Sequence, residues 1–501
     1  MFSKLFRGTA PFLLLLAAPA AAQPDPPVTP ADLRRHIDVL ASDDFEGREP
    51  GTDGEARTIA YIAEQLRARG LEPAGEEGWF QPVRLVERAT RSQRASWSAQ
   101  GRALPFDQAQ IALQSREPLA RIEDAPVIFA GHGVRIPDRG IDQLAGADIR
   151  GAVVILLYEG PEIPGFPSFS ERVRTVTEAG AAAIIAIAGP DLQWRFITRN
   201  YQRPATKLAS QVLAPVVGAM PLAAAQRLMA AGGGDFDRLL NDQPGSSFRA
   251  VALPLRATLE VATTIRPYTS RNVIGRLRGS GSDGQSLLYL AHWDHLGRCR
   301  PAGEADRICN GAVDNASGIA ALIEIAGRLA RGPRPARDIL FLATTAEELG
   351  LLGAEHFATH PVVPLASILA AINLDTIAIH PAGEPVAVIG RGTRSLDAAI
   401  EASVAATGRR LDADGDADVM IERQDGWALA RAGVPAIMVG GSFSNMALLE
   451  AFLSGHYHAP EDEPGPRLVL DGAAEDANLL VALGRRLADP GLYQRLAPGR
   501  R

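Results

Sequence analysis

From Asn272 onward the apolar positions fall into two alternating patterns. Short, mostly apolar runs at Asn272–Leu277, Leu287–Ala291, Asp338–Thr344, Ile368–Leu374, Pro385–Ile389 and Ala436–Val439 read as buried strands. Between and after them, segments with helical periodicity span Ser317–Ala330, Leu349–His360, Ser395–Thr407, Gly426–Arg431 and Asp471–Leu487. Such alternation predicts an α/β fold, a mostly parallel doubly wound sheet with helices on both faces.

Upstream the pattern differs. Pro30 to Gly70 is helical, with Thr29 or Asp32 able to cap a helix through Leu40. A second helix opens at Gly54-Glu55-Ala56 and places Ile59, Ile62, Ala63 and Leu66 on one face. Residues 88 to about 110 alternate like the entry to a hairpin. Between about 110 and 265, buried strands at Ala125–Ala130, Ala152–Leu157 and Ala182–Ile187 mix with helices at Ser170–Ala179 and Pro221–Ala231. This stretch reads as an inserted, smaller α/β or β-rich domain without obvious catalytic groups. The expected division is 1–22 signal segment, 23–87 first part of the main domain, 88–267 insert, 268–490 remainder of the main domain, and 491–501 tail.

The chain has 501 residues, enough for two or three domains. Its 51 Lys+Arg against 58 Asp+Glu give a net charge of −7, with no basic block, which argues against nucleic acid as a partner. Lys4 and Arg7, the apolar run Pro11–Ala18 and the triplet Ala20-Ala21-Ala22 form the pattern of a secretory signal. That run is shorter than the roughly 20 residues a membrane span needs. An exported protein, periplasmic or secreted and without a span in its mature form, is expected. Cys299 and Cys309, the only cysteines, then read as a short-loop disulfide.

Candidate chemistry sits after the strands. Leu287–Ala291 is followed by His292-Trp-Asp294-His295, Asp338–Thr344 by Glu347-Glu348, and Ile368–Leu374 by Asp375. Asp314 precedes a helix, and His458 lies in the loop after Ala436–Val439. In a doubly wound sheet these positions converge beyond the carboxyl ends of the strands. Imidazole and carboxylate without thiolate suit zinc or another divalent first-row metal. Two His and three carboxylates exceed one catalytic zinc, which keeps about three protein ligands. They suit two ions about 3.5–4 Å apart sharing a carboxylate. Glu347-Glu348 supplies one ligand and one base from adjacent positions.

Five segments carry a resemblance: Ala291-His-Trp-Asp-His-Leu-Gly297, Gly311-Ala-Val-Asp-Asn-Ala-Ser-Gly318, Thr345-Ala-Glu-Glu-Leu-Gly-Leu-Leu-Gly353, Asn373-Leu-Asp375 and Tyr457-His-Ala-Pro-Glu-Asp462. In order, they resemble the motifs of the bacterial di-zinc aminopeptidases. Phe129-Ala-Gly-His-Gly-Val134 and Ala179-Gly-Ala-Ala-Ala-Ile184 resemble pieces of the protease-associated domain often inserted in them, and Leu40-Ala-Ser-Asp-Asp-Phe-Glu-Gly-Arg48 is similar too. The resemblance implies two zinc ions, with His292 and His458 on the first, Glu348 and Asp375 on the second, and Asp314 bridging. It makes Glu347 the general base and has Asp294 orient His292; His295 receives no role beyond packing. His456 competes with His458, which is preferred for its place between Tyr457 and the Pro-Glu-Asp run. Thr376 after Asp375, and Gln424-Asp-Gly-Trp427, depart from the usual pattern.

The implied activity is removal of an N-terminal residue from peptides with a free N-terminus, through a metal-bridging hydroxide. Rivals on the same fold are a carboxypeptidase, a glutaminyl cyclase, and a non-catalytic, receptor-like binding protein, which would lack a ligand or the base. Gly279-Ser-Gly-Ser-Asp-Gly284 precedes a strand and not a helix, so it reads as a turn. Asp412–Asp418 alternates acids like a calcium loop but has Arg423 where such loops need Glu.

Overall fold

The structure, a computed structural model, describes residues 26–161, 165–190, 192–242, 248–281, 283–413 and 415–495. The expected signal segment, Asp414 of the acidic loop and the end of the tail lie outside the described residues.

Four parallel strands form the centre of the main sheet. Their order is Ala436–Gly440, Ile368–Asn373, Ser286–His292, Asp338–Thr344. Ala387–Ile389 adds an antiparallel strand beside Ala436–Gly440, and Val251–Leu277 adds one beside Asp338–Thr344. The central strands are apolar at nearly every position because both faces are covered. Leu287, Tyr289 and Ala291 face one core with helices Pro30–Leu40, Ser317–Arg331 and Leu470–Ala488. Leu288 and Leu290 face the other, against Phe357 and Leu429 of helices Leu352–Thr359 and Gly426–Arg431. The α/β fold with a mostly parallel sheet is therefore present. Of the two candidate caps, Thr29 is the N-cap, exchanging hydrogen bonds with Asp32 in a capping box.

Residues 95–261 build a separate core around Phe129, Ile155, Ile185, Val216 and Val261. Its parallel strands Leu119–Phe129, Val153–Leu157, Ala183–Ala188 and Val216–Pro221 continue the main sheet through Val251–Leu277. Two strands are far longer than the pattern predicts. Phe80–Ala99 and Val251–Leu277 pair antiparallel from Phe80↔Val273 to Ser98↔Arg256, and both expected borders of the insert fall inside this ribbon.

Helices Trp194–Gln202, Phe236–Asp242 and Met446–Gly455 are absent from the expected elements. Met446–Gly455 lies beside the carboxyl edge of the sheet, and its residues line a cleft there. Asn445 caps this helix by accepting the N–H of Leu448. Cys299 and Cys309 are joined by a disulfide with Cα atoms 5.8 Å apart, closing the loop between His295 and Asp314.

Candidate metal centre

The sheet delivers its carboxyl ends to one edge, and the residues singled out above meet there. His292 Nε2 lies 3.2 Å from Asp314 Oδ1 and 3.5 Å from Asp375 Oδ1. His458 Nε2 lies 3.4 Å from Asp314 Oδ2 and 2.8 Å from Glu348 Oε2. Asp314 thus turns one oxygen to each group. The pairing differs from the expected one: His458 sits with Glu348, and His292 with Asp375. Strand order is the cause, since Ser286–His292 lies between Ile368–Asn373 and Asp338–Thr344 and the carboxylates that follow those two neighbours fall on opposite sides of it.

Backbone conformation aims these side chains. Ala346, Thr376 and His458 itself have φ of 55°, 52° and 58°. Left-handed backbone at a non-glycine residue costs of order 1–3 kcal/mol and persists where the surroundings enforce it. Asp462 enforces the Asp314 turn: its carboxylate accepts the N–H groups of Val313 at 2.9 Å and Asp314 at 3.1 Å, and its carbonyl accepts that of Ala312. The motif that carries His458 therefore also grips the loop that carries Asp314. His456 points elsewhere, 3.5 Å from Arg467.

Asp294 departs from its expected role. Its carboxylate lies 4.0 Å from His292 Nδ1, which instead meets the Asp294 backbone carbonyl at 3.1 Å. Both carboxylate oxygens are taken by the consecutive N–H groups of Glu347 and Glu348. Orientation of His292 is thus a main-chain function, and the Asp294 side chain fixes the turn of the acidic pair.

Several acids are buried side by side here. Burial pushes Glu347 well above the ordinary carboxylate range, with Glu348, Asp425 and Asp375 adding repulsion and His292 opposing it. Burial also raises Asp294 to about 7, helped by Glu348. Burial disfavours charge on His292, yet Glu347, Asp375 and Asp314 lift it well above the usual imidazole value. Burial opposes His458 likewise, and Asp314 and Glu348 raise it to about 9. Asp314 Oδ2, Glu348 Oε1 and both ring nitrogens of His295 are buried without a hydrogen-bond partner among the described residues. Such orphans are costly unless a cation serves them. Oxygen and imidazole donors in two trios, His292–Asp314–Asp375 and His295–Asp314–Glu348, each within 4.8 Å, fit a pair of divalent metal ions.

His295 is the residue that sequence reasoning missed. It was visible as a second imidazole in the same motif, three positions after His292.

Beside the cluster lies a cleft. His292, Asp314, Glu347 and Asp375 form its polar end; Met438, Phe443, Leu449 and Leu453 form its apolar wall.

Residues 272–468 match peptidase family M28. A vacuolar membrane protease of Candida tropicalis is 33% identical over 94 residues, 19% of this chain and 9% of its own. A probable zinc metalloprotease of Pyrenophora teres f. teres is 34% identical over 113 residues, 23% of this chain and 24% of its own. The chain thus spans about a tenth and about a quarter of the length of these relatives. Among solved structures, the aminopeptidase from Aneurinibacillus sp. strain AM-1 superposes with a TM-score of 0.54 at 17% identity. That match covers 94% of this chain and 96% of the other, and it is a likeness of fold.

Proposed function

We propose that this chain, whose residues 272–468 belong to peptidase family M28, is an exported di-zinc aminopeptidase that hydrolyses the first bond of peptides with a free N-terminus. One observation carries the reading: two ligand groups share Asp314 while Glu347, 4.0 Å from His292 and facing the cleft, is left over from both.

His292, Asp375 and Asp314 would hold one ion, and Glu348, His458 and Asp314 the other. Two zinc ions bound there supply Lewis acidity that polarises the scissile carbonyl and acidifies water. Glu347 acts as general base and acid: it takes the proton of the attacking water and gives it to the departing amine. The turn that presents Glu347 is held by Asp294. The apolar wall supports an aliphatic or aromatic side chain on the residue removed. Export rests on the signal-like pattern of residues 1–22.

The test is metal analysis of the purified protein with a panel of aminoacyl chromogenic substrates, N-blocked peptides and N-terminal glutaminyl peptides. Chelator-sensitive turnover confined to free N-termini supports the reading. Equal cleavage of N-blocked peptides, or cyclisation of glutaminyl substrates without hydrolysis, overturns it.

A further inference from the structure

We propose that His295 is a third imidazole ligand, aimed at the same ion as Glu348 and His458, so that the two metal positions differ in kind. The inference rests on the metallopeptidase reading above and assigns a role to a residue which that reading leaves idle.

The His295 side chain is fully buried, and neither ring nitrogen has a hydrogen-bond partner among the described residues. A histidine that merely packs keeps at least one nitrogen bonded, because an unpaired buried polar group costs about 1–3 kcal/mol. Nδ1 lies 2.6 Å from Glu348 Oε1 and 3.8 Å from Asp314 Oδ2. Both approaches are ion-pair contacts outside hydrogen-bond geometry, and neither oxygen has a hydrogen-bond partner among the described residues. Three orphaned donor atoms from three separate segments therefore face one point. His458 reaches the same carboxylates from the other side, its ring centroid 5.7 Å from that of His295.

The seat of the ring is built for it. A Cβ on Gly311 would lie 2.6 Å from His295 Cγ, so only glycine leaves room, and its φ of 57° also favours glycine. The His295 N–H donates to the carbonyl of Arg48, whose guanidinium in turn donates to Trp293, Asn310 and Gly311. Cys299–Cys309 closes the loop between these points.

The result is an asymmetric pair. One position draws on His295, His458, Glu348 and Asp314; the other draws on His292, Asp375 and Asp314. Imidazole-rich surroundings favour zinc, and carboxylate-rich ones accept harder ions such as manganese. The His295 position should hold its zinc when the other is exchanged.

Cadmium-113 loaded into histidine-15N-labelled full-length protein tests this directly by NMR. Three histidines with direct cadmium–nitrogen coupling, two of them on one resonance, are expected. His295→Gln should remove one coupling, move that resonance alone, and weaken that ion by about tenfold or more, a loss seen even for residues behind a ligand. Two coupled histidines in the wild-type protein overturn the proposal whatever the variant does. Absence of bound cadmium or of any coupled histidine overturns the metallopeptidase reading itself.

Discussion

The Asp294 carboxylate accepts the backbone N–H of Glu347, Oδ1 to N 3.1 Å, and its second oxygen accepts that of Glu348 at 3.4 Å. This clamp makes a carboxylate outside both ligand trios responsible for where the proposed base stands. Asp294→Asn loses one acceptor while keeping the shape. We expect kcat to fall about 10- to 100-fold with KM little changed, read by steady-state kinetics beside metal analysis. A kcat within twofold of wild type would show that the turn holds itself.

Glu347→Gln removes the proposed proton carrier and leaves every proposed ligand in place. Turnover should drop by about 10²- to 10⁴-fold, while zinc content matches the wild-type protein. Loss of metal alongside activity would make Glu347 a ligand instead.

Arg48 is fully buried and donates to the carbonyls of Leu40, Trp293, Asn310 and Gly311. Burial pulls its pKa down to about 10, against Asp462 and Asp314, so it stays charged at neutral pH. Arg48→Met strands these acceptors, each at about 1–3 kcal/mol before relaxation. Arg48→Lys should rescue little, because one ammonium cannot span the fork. The urea unfolding midpoint checks both: a Lys variant as stable as wild type would mean that charge alone is needed.

His132, in the 95–261 lobe, has its pKa lowered to about 4, by burial first and by Arg172 second. Between its ordinary 6.5 and about 4 the unfolded chain binds more protons than the folded one. Stability should therefore fall as pH drops through that window and be insensitive to this group above it. Thermal unfolding at pH 7 and pH 5 measures the difference, which His132→Gln should shrink. An undiminished difference in the variant would assign the effect to other groups.

Much of the centre was legible in the sequence because buried parallel strands are short and apolar, and the residues that follow them must emerge at one edge. His292, Glu347, Glu348 and Asp375 announce themselves in that way. What chain order could not convey was strand order, and so both histidines were expected on one ion and Glu348 and Asp375 together on the other, whereas His292 sits with Asp375 and His458 with Glu348. Helix Met446–Gly455 escaped for a different reason: its exposed face mixes Glu450 and Ser454 with Ala447 and Ala451, so the polar stripe opposite Leu449 and Phe452 is weak. The Phe80–Ala99 and Val251–Leu277 ribbon was hidden by its many exposed Arg, Glu and Thr residues, which look like loop until their register is seen.

That ribbon bears on how small the protein can be made. Its two strands leave the main core side by side and return in register, with Arg88 opposite Ile265 and Glu87 opposite Arg266. Everything beyond those pairs could be replaced by a two-residue Asn-Gly turn, the natural closure for antiparallel neighbours. A shortened chain of this kind would be the direct way to learn whether the lobe guards the cleft or serves some purpose of its own.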